Sequence, residues 1–167
     1  SGQVTDTTSP PELARSPLVR QHYPMLSAMA ARMANPQVRN QGTIGGNLCN
    51  ASPAADGVPP LLALAAEVEL SSDVGTRTLP LDRFLLGPRH TALGKGELLT
   101  AILVPGHGTL GRSAFLKLGA RSHLVISIAM VAARLVVQSG RVIEAAVAVG
   151  ACSAVAQRLL AVEAALR

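Results

Sequence analysis

The sequence predicts an α+β fold, mostly antiparallel sheet with flanking helices, and three observations carry that prediction. Leu26, Met29, Ala30 and Met33 recur at helical spacing behind Pro24. Residues 67–70 alternate polar and apolar side chains as a half-buried strand does. Residues 126–137 and 142–149 are two runs rich in β-branched residues, joined by Ser139-Gly140, which is a hairpin signal.

Taken in chain order, residues 1–17 are rich in Thr, Ser and Pro and read as an extended or turn segment rather than a helix. Pro24 suits the first turn of the helix that follows, and Asn35 before Pro36 ends it. The methionines of that helix form a core-facing stripe. Residues 37–56 lack periodicity and read as a loop. Pro59 and Pro60 open a short helix through Leu61, Leu62 and Leu64. Further strands are expected at 77–79, 99–104 and 113–118, set apart by turns at Gly87-Pro88 and Pro105-Gly106. A helix over 156–166 closes the chain, and a boundary near 111–112 divides a first unit, 1–111, from a second, 112–167.

Composition narrows the function. The chain has 167 residues, 49% of them hydrophobic, but only one Tyr, two Phe and no Trp, so its core must be built from small aliphatic side chains. The net charge is +5, yet the 15 Lys and Arg are scattered singly with almost no aromatics to stack bases, which argues against nucleic acid. No apolar run approaches the roughly 20 residues of a membrane span, and residues 1–11 lack the basic head and apolar run of a secretory signal. A cytoplasmic chain is the expectation. Cys49 and Cys152 have no CxxC spacing and cannot by themselves ligate an iron–sulfur cluster or a zinc finger. His22, His90, His107 and His123 show no metal-binding spacing, and no serine sits in a nucleophile elbow. Catalysis by protein side chains is not indicated.

Thr43-Ile44-Gly45-Gly46-Asn47 puts two glycines between a hydroxyl and an amide. Such a bend suits backbone N–H groups wrapped around an anion, a diphosphate above all, with glycine permitting positive φ and close approach. Thr43 and Asn47 can add hydroxyl and amide hydrogen bonds. The stretch is neither a GxGxxG fingerprint nor a P-loop. Asp56 precedes a proline-initiated helix and suits either a cap or a ligand contact. Lys117, between apolar neighbours, points either to solvent or inward. Arg39 and Arg121 are plausible anion partners or surface groups.

The longer string is more specific. Arg39-Asn40-Gln41-Gly42-Thr43-Ile44-Gly45-Gly46-Asn47, followed by Ala51-Ser52-Pro53-Ala54-Ala55-Asp56, resembles the second FAD-binding segment of the molybdenum hydroxylase flavoproteins. Those are the medium subunits of the xanthine and carbon monoxide dehydrogenase type. Glu97-Leu98-Leu99 with its strand and Pro105, then Phe115-Leu116-Lys117-Leu118-Gly119-Ala120-Arg121, are similar in order to that family's later segments. The resemblance implies the second lobe of a vanillyl-alcohol-oxidase-type FAD-binding domain, followed by the start of a C-terminal domain of antiparallel sheet plus helix. It implies FAD as cofactor, with Thr43, Ile44, Gly45, Gly46 and Asn47 holding the diphosphate. Asp56 would accept hydrogen bonds from nucleotide hydroxyls, Leu99 and Lys117 would approach the flavin, and Met33 would stand near the cofactor.

The implied activity is electron relay from a molybdenum centre through iron–sulfur clusters and flavin to NAD or another acceptor. The implied partners are a molybdopterin-binding large subunit and an iron–sulfur small subunit. Relatives also carry an earlier Ala-Gly-Gly-Thr lobe that this sequence lacks, so it reads as a truncated chain, a fragment or a split-gene product, a second chain supplying the missing lobe being one of the alternatives. Weak or absent FAD binding in isolation is expected. Two rival readings are a cofactor-free interaction or scaffold domain derived from such a flavoprotein, and an independent flavin reductase of the cell-wall type.

Overall fold

The computed structural model of the chain describes residues 2–120 and 126–167, so the expectations for Arg121 and His123 lie outside it. The chain opens with strand β1 (Gly2–Thr5) and helices α1 (Pro10–Arg15), α2 (Pro17–His22) and α3 (Pro24–Arg32). The extended reading of residues 1–17 therefore holds only for β1. Helix α1 forms because Ser9 and Glu12 make a reciprocal cap, Ser9 Oγ accepting from Glu12 N and Glu12 Oε2 accepting from Ser9 N at 2.7 Å. Replacing Ser9 by Ala is expected to lower stability by about 1 kcal/mol, measured by urea unfolding.

The stretch expected to be a loop contains two more short helices, α4 (Pro36–Gln41) and α5 (Ile44–Cys49). Asn35 and Thr43 cap them, each accepting from an amide three residues on. Helix α6 (Val58–Ala63) follows as expected and is buried on every side. Next come strands β2 (Glu67–Ser72) and β3 (Gly75–Pro80), a turn of helix α7 (Leu81–Phe84), and the short pair β4 (Leu85–Gly87) and β5 (His90–Thr91). After β6 (Leu98–Val104) and a 3-10 turn at Gly106–Thr109 come β7 (Arg112–Leu118), β8 (Ala129–Gln138), β9 (Arg141–Gly150), β10 (Gln157–Arg158) and α8 (Leu160–Leu166). The expected hairpin at Ser139-Gly140 is present, joining β8 to β9. The closing helix starts later than expected, because Gln157 and Arg158 pair with β9.

Two four-stranded antiparallel sheets result, ordered β1-β6-β2-β3 and β10-β9-β8-β7. The α+β expectation is met. A single cluster of buried residues runs from Leu26 and Met29 on α3 through Leu61 and Leu62 on α6 to Phe115, Met130 and Ala148 on the second sheet. Helix α6 touches both β8 and β9 and also α3 and α7, so it is packed between the second sheet and those helices. Each fully buried Leu or Met contributes on the order of 2 kcal/mol by leaving water.

Polar ties hold the edges. Arg77 donates to both oxygens of Glu97, at 2.6 and 2.8 Å, and Gly94 N donates as well, so the Glu97 carboxyl is held down at about 2. On the second sheet, burial disfavours the charged form of Glu163. Hydrogen bonds from Arg158 and Val147 N outweigh that and keep its carboxyl below the ordinary range, which fastens α8 to β9. Arg134, buried in β8, reaches the Leu110 carbonyl at 3.3 Å and pairs with Glu144. No helix among the described residues is long and apolar enough to cross a membrane.

Candidate functional site

The site begins where α3 stops. Met33 leaves helical geometry, and Ala34 takes a left-handed conformation with φ of 47°, an unusual state for a residue with a side chain. The chain turns there into α4, and Asn35 Oδ1 accepts from Val38 N at 2.8 Å. One helix later Asn47 turns its Oδ1 onto Gly57 N at 3.2 Å, joining α5 to the entrance of α6. A Cβ on Gly57 would stand 2.7 Å from that oxygen, so a larger residue here would push the Asn47 side chain off the amide.

Asp56, beside Gly57, is nearly buried, and its carboxylate goes to the second sheet. Lys117 Nζ donates to Oδ2 at 2.6 Å and Ser127 Oγ donates to Oδ1 at 2.7 Å. The capping role considered for Asp56 is not what the structure shows: the N-cap of α6 is Gly57, with no side-chain cap. Lys117 turns inward rather than to solvent, with 13% of its side chain exposed. Between these elements lies a groove of about 350 Å³, lined among others by Met33, Asn35, Asn47, Asp56, Lys117 and Ser127. A larger groove of about 610 Å³ runs along β1 and α2, but it collects none of the residues expected to hold the cofactor.

The two-glycine stretch takes a form different from the expected bend. Residues 44–49 are helical, and neither Gly45 nor Gly46 has positive φ. Their amides are engaged. Ile44 N donates to Thr8 O at 3.0 Å, Gly45 N to Asp6 O at 3.1 Å, Gly46 N to Thr43 Oγ1 at 2.9 Å and Asn47 N to Thr43 O at 3.0 Å. The physical reason is that residues 6–8 lie directly over the start of α5. A Cβ on Gly45 would come within 2.8 Å of Asp6 Cβ and O, so this glycine makes room for the chain itself. No anion-binding nest of these amides is present.

The structure thus brings together Met33, Asn47, Asp56 and Lys117. Thr43, Ile44, Gly45 and Gly46 do not line the groove, and Leu99 is buried in the core, paired with Leu70 across the first sheet. Arg39 donates to Ala31 O at 2.6 Å and also lies outside the lining. Sequence reasoning missed Ser127 and Asn35. Ser127 lies 71 residues from its partner and left no signal, whereas Asn35 before Pro36 carried one, an N-cap residue ahead of a first-turn proline. Cys49 lies beyond the lining, and burial with the nearby Asp6 charge pushes its thiol up, which does not favour a nucleophilic thiolate. Among the described residues no cluster of His, Cys, Asp and Glu could hold a metal.

Comparison with known proteins supplies the family. Residues 6–107 match the model of the FAD binding domain in molybdopterin dehydrogenase. The chain is 38% identical over 120 residues to a nicotinate dehydrogenase FAD-subunit of Eubacterium barkeri, covering 70% of this chain and 40% of that protein. It is 39% identical over 94 residues to the carbon monoxide dehydrogenase medium chain of Hydrogenophaga pseudoflava, covering 56% of this chain and 33% of that one. In structure it is similar to a chain of Hydrogenophaga pseudoflava carbon monoxide dehydrogenase, with a TM-score of 0.92 and 32% identity over 99% of this chain and 58% of that one. Quinoline 2-oxidoreductase from Pseudomonas putida 86 is similar at a TM-score of 0.89 and 27% identity, again over 99% of this chain and 58% of the other. The chain therefore spans under two thirds of each of these relatives. Since the matching family model takes in well over half of its residues, from just after β1 into the 3-10 turn, the chain belongs to the family of FAD binding domains in molybdopterin dehydrogenases.

Proposed function

We propose that the chain is the FAD-holding part of the medium subunit of a molybdenum-dependent hydroxylase or dehydrogenase, relaying electrons from iron–sulfur clusters through flavin to NAD or another acceptor. The observation that carries this is the convergence of Met33, Asn47, Asp56 and Lys117, from four separate elements or turns, on one groove. Bound there, FAD would supply the electron-transfer chemistry that none of these side chains provides. The chain's own part is to bind and orient. Asn47 is fixed by Gly57 N, Lys117 is fixed by Asp56, and Met33 offers an apolar wall.

The fit is uneven. The groove accepts a ring or nucleoside portion, while a diphosphate finds the amides of residues 44–47 already engaged. For the diphosphate the proposal rests on the Thr43 hydroxyl, which accepts from Gly46 N and still has a proton to donate. Ile44 and Gly45 enter as the packed start of α5, Leu99 as part of the core, and the exposed Gly46 through the amide that holds the Thr43 hydroxyl.

The proposal extends to architecture and partners. Residues 1–111 are read as the second lobe of a vanillyl-alcohol-oxidase-type FAD-binding domain and 112–167 as the start of a C-terminal unit, supported by two sheets that share no strand. A molybdopterin-binding large subunit and an iron–sulfur small subunit are the proposed partners, supported by the relatives' designation as medium chains and FAD-subunits. A cytoplasmic complex fits the two unpaired cysteines, Cys49 and Cys152.

Titration of FAD fluorescence with the protein tests the reading. Saturable quenching is expected with Kd in the micromolar to millimolar range, about 4 to 8 kcal/mol, and Asp56→Ala is expected to weaken it. Absence of saturable quenching would overturn the reading. It would favour the second one, a cofactor-free interaction domain, for which the engaged amides of α5 speak.

A further inference from the structure

Two apolar surfaces on the outer side of the second sheet have no cover among the described residues. The first is the floor made by β7 and β8. Phe115 and Lys117 point inward from β7, so Leu116 and Leu118 point outward, and the register sets Leu116 beside Val131 and Ala114 beside Ala133. Leu116 is 67% exposed and Leu118 60%. The second surface is helix α8. Its buried residue is Glu163, while Leu160, Val162 and Leu166 are exposed together with its alanines. An amphipathic helix hides its aliphatic residues and shows its charges, and α8 does the reverse.

The two surfaces lie side by side. Helix α8 runs along β9, where Leu159 N donates to Val147 O at 2.8 Å and Val147 N donates to Glu163 Oε1 at 2.9 Å. Ala145 and Val147, which share the outer side with Val131 and Ala133, are buried. Strands stand about 4.8 Å apart and a helix is about 10 Å across, so one helix covers two strands. The bare floor of β7 and β8 is therefore one helix wide.

We propose that two copies of this chain pair about a two-fold axis, each laying the exposed side of its α8 on the β7–β8 floor of the other. A sheet in need of a helix and a helix in need of a sheet occur on one chain, so a single two-fold operation covers both, and the contact closes at two copies. The size is adequate. A stable interface takes about 800 Å² from each partner, and the exposed leucines and valines of floor and helix, with the alanines between them, are of that order. Charge does not oppose the contact, because the Glu163 carboxylate is turned away and paired with Arg158. Leu116 faces away from Lys117 and its groove, so the pairing is independent of the FAD reading.

Sedimentation velocity of the 167-residue chain at about 1 to 200 µM tests the proposal. The mass is expected to climb from 17.2 kDa to twice that value, with the midpoint at micromolar concentration. Leu116→Lys and Val162→Glu alter exposed positions, so each should keep its melting temperature and raise the dissociation constant tenfold or more. Mixed together, the two variants should pair again, because one contact then sets the new ammonium against the new carboxylate and the other contact is unaltered. If either variant melts early, Leu118→Lys or Leu166→Glu takes its place. A chain that stays at 17.2 kDa at the highest concentration overturns the proposal and leaves both surfaces to another polypeptide. Growth past two copies, a dimer indifferent to Val162→Glu, or variants that do not recover on mixing overturn it as well.

Discussion

Lys117→Met is expected to lower the free energy of unfolding by about 3 kcal/mol, seen as a shift of the urea midpoint at constant slope. The cause is what the substitution leaves behind. Asp56 is nearly buried, and without the ammonium at 2.6 Å its charge keeps only the Ser127 hydroxyl. Breaking one side of such a pair costs more than the pair itself contributes. The double variant Asp56→Asn, Lys117→Met, which removes both charges at nearly constant volume, should therefore regain at least half of the loss. If the single and double variants are equally unstable, Lys117 acts through its packed methylenes and not through Asp56.

Gly45→Ala is expected to cost about 3 kcal/mol as well, by a different route. The new methyl would meet Asp6 Cβ and O at 2.8 Å and Cα at 2.9 Å, and backbone cannot rotate out of the way. Residues 6–8 would have to lift, releasing the amides of Ile44 and Gly45 from Thr8 and Asp6. Gly46→Ala is the control. Its Cβ would meet only Thr43 Oγ1 at 3.1 Å, and the gain in helix propensity offsets that contact, so its stability should stay within about 1 kcal/mol of the parent. Thermal melts of the two variants decide the matter. Equal behaviour would mean that the overlying segment does not set the requirement for glycine at residue 45.

The long-period patterns were legible in the amino-acid order. Leu26, Met29 and Ala30 on α3, the alternation of β2 and the β8–β9 hairpin all follow from spacing over several residues. Helices α4 and α5, six residues each, are too short to show a hydrophobic period, and α5 holds two glycines that speak against helix. Their caps, Asn35 and Thr43, were the legible part and were read instead as a helix stop and a ligand contact. The Ser9 and Glu12 cap was equally visible beneath a Ser- and Pro-rich composition. In the site, Asp56 and Lys117 could be picked out singly. Their pairing across 61 residues, and that of Asp56 with Ser127, belongs to the folded chain alone.

Helix α6 lies against α3, α7 and both long strands of the second sheet, with every one of its six residues buried. The second sheet therefore cannot let go without stripping this helix of its cover and wetting the core it shares with α3. A single cooperative transition is the expected melt of the elements around α6, with far- and near-ultraviolet signals lost together.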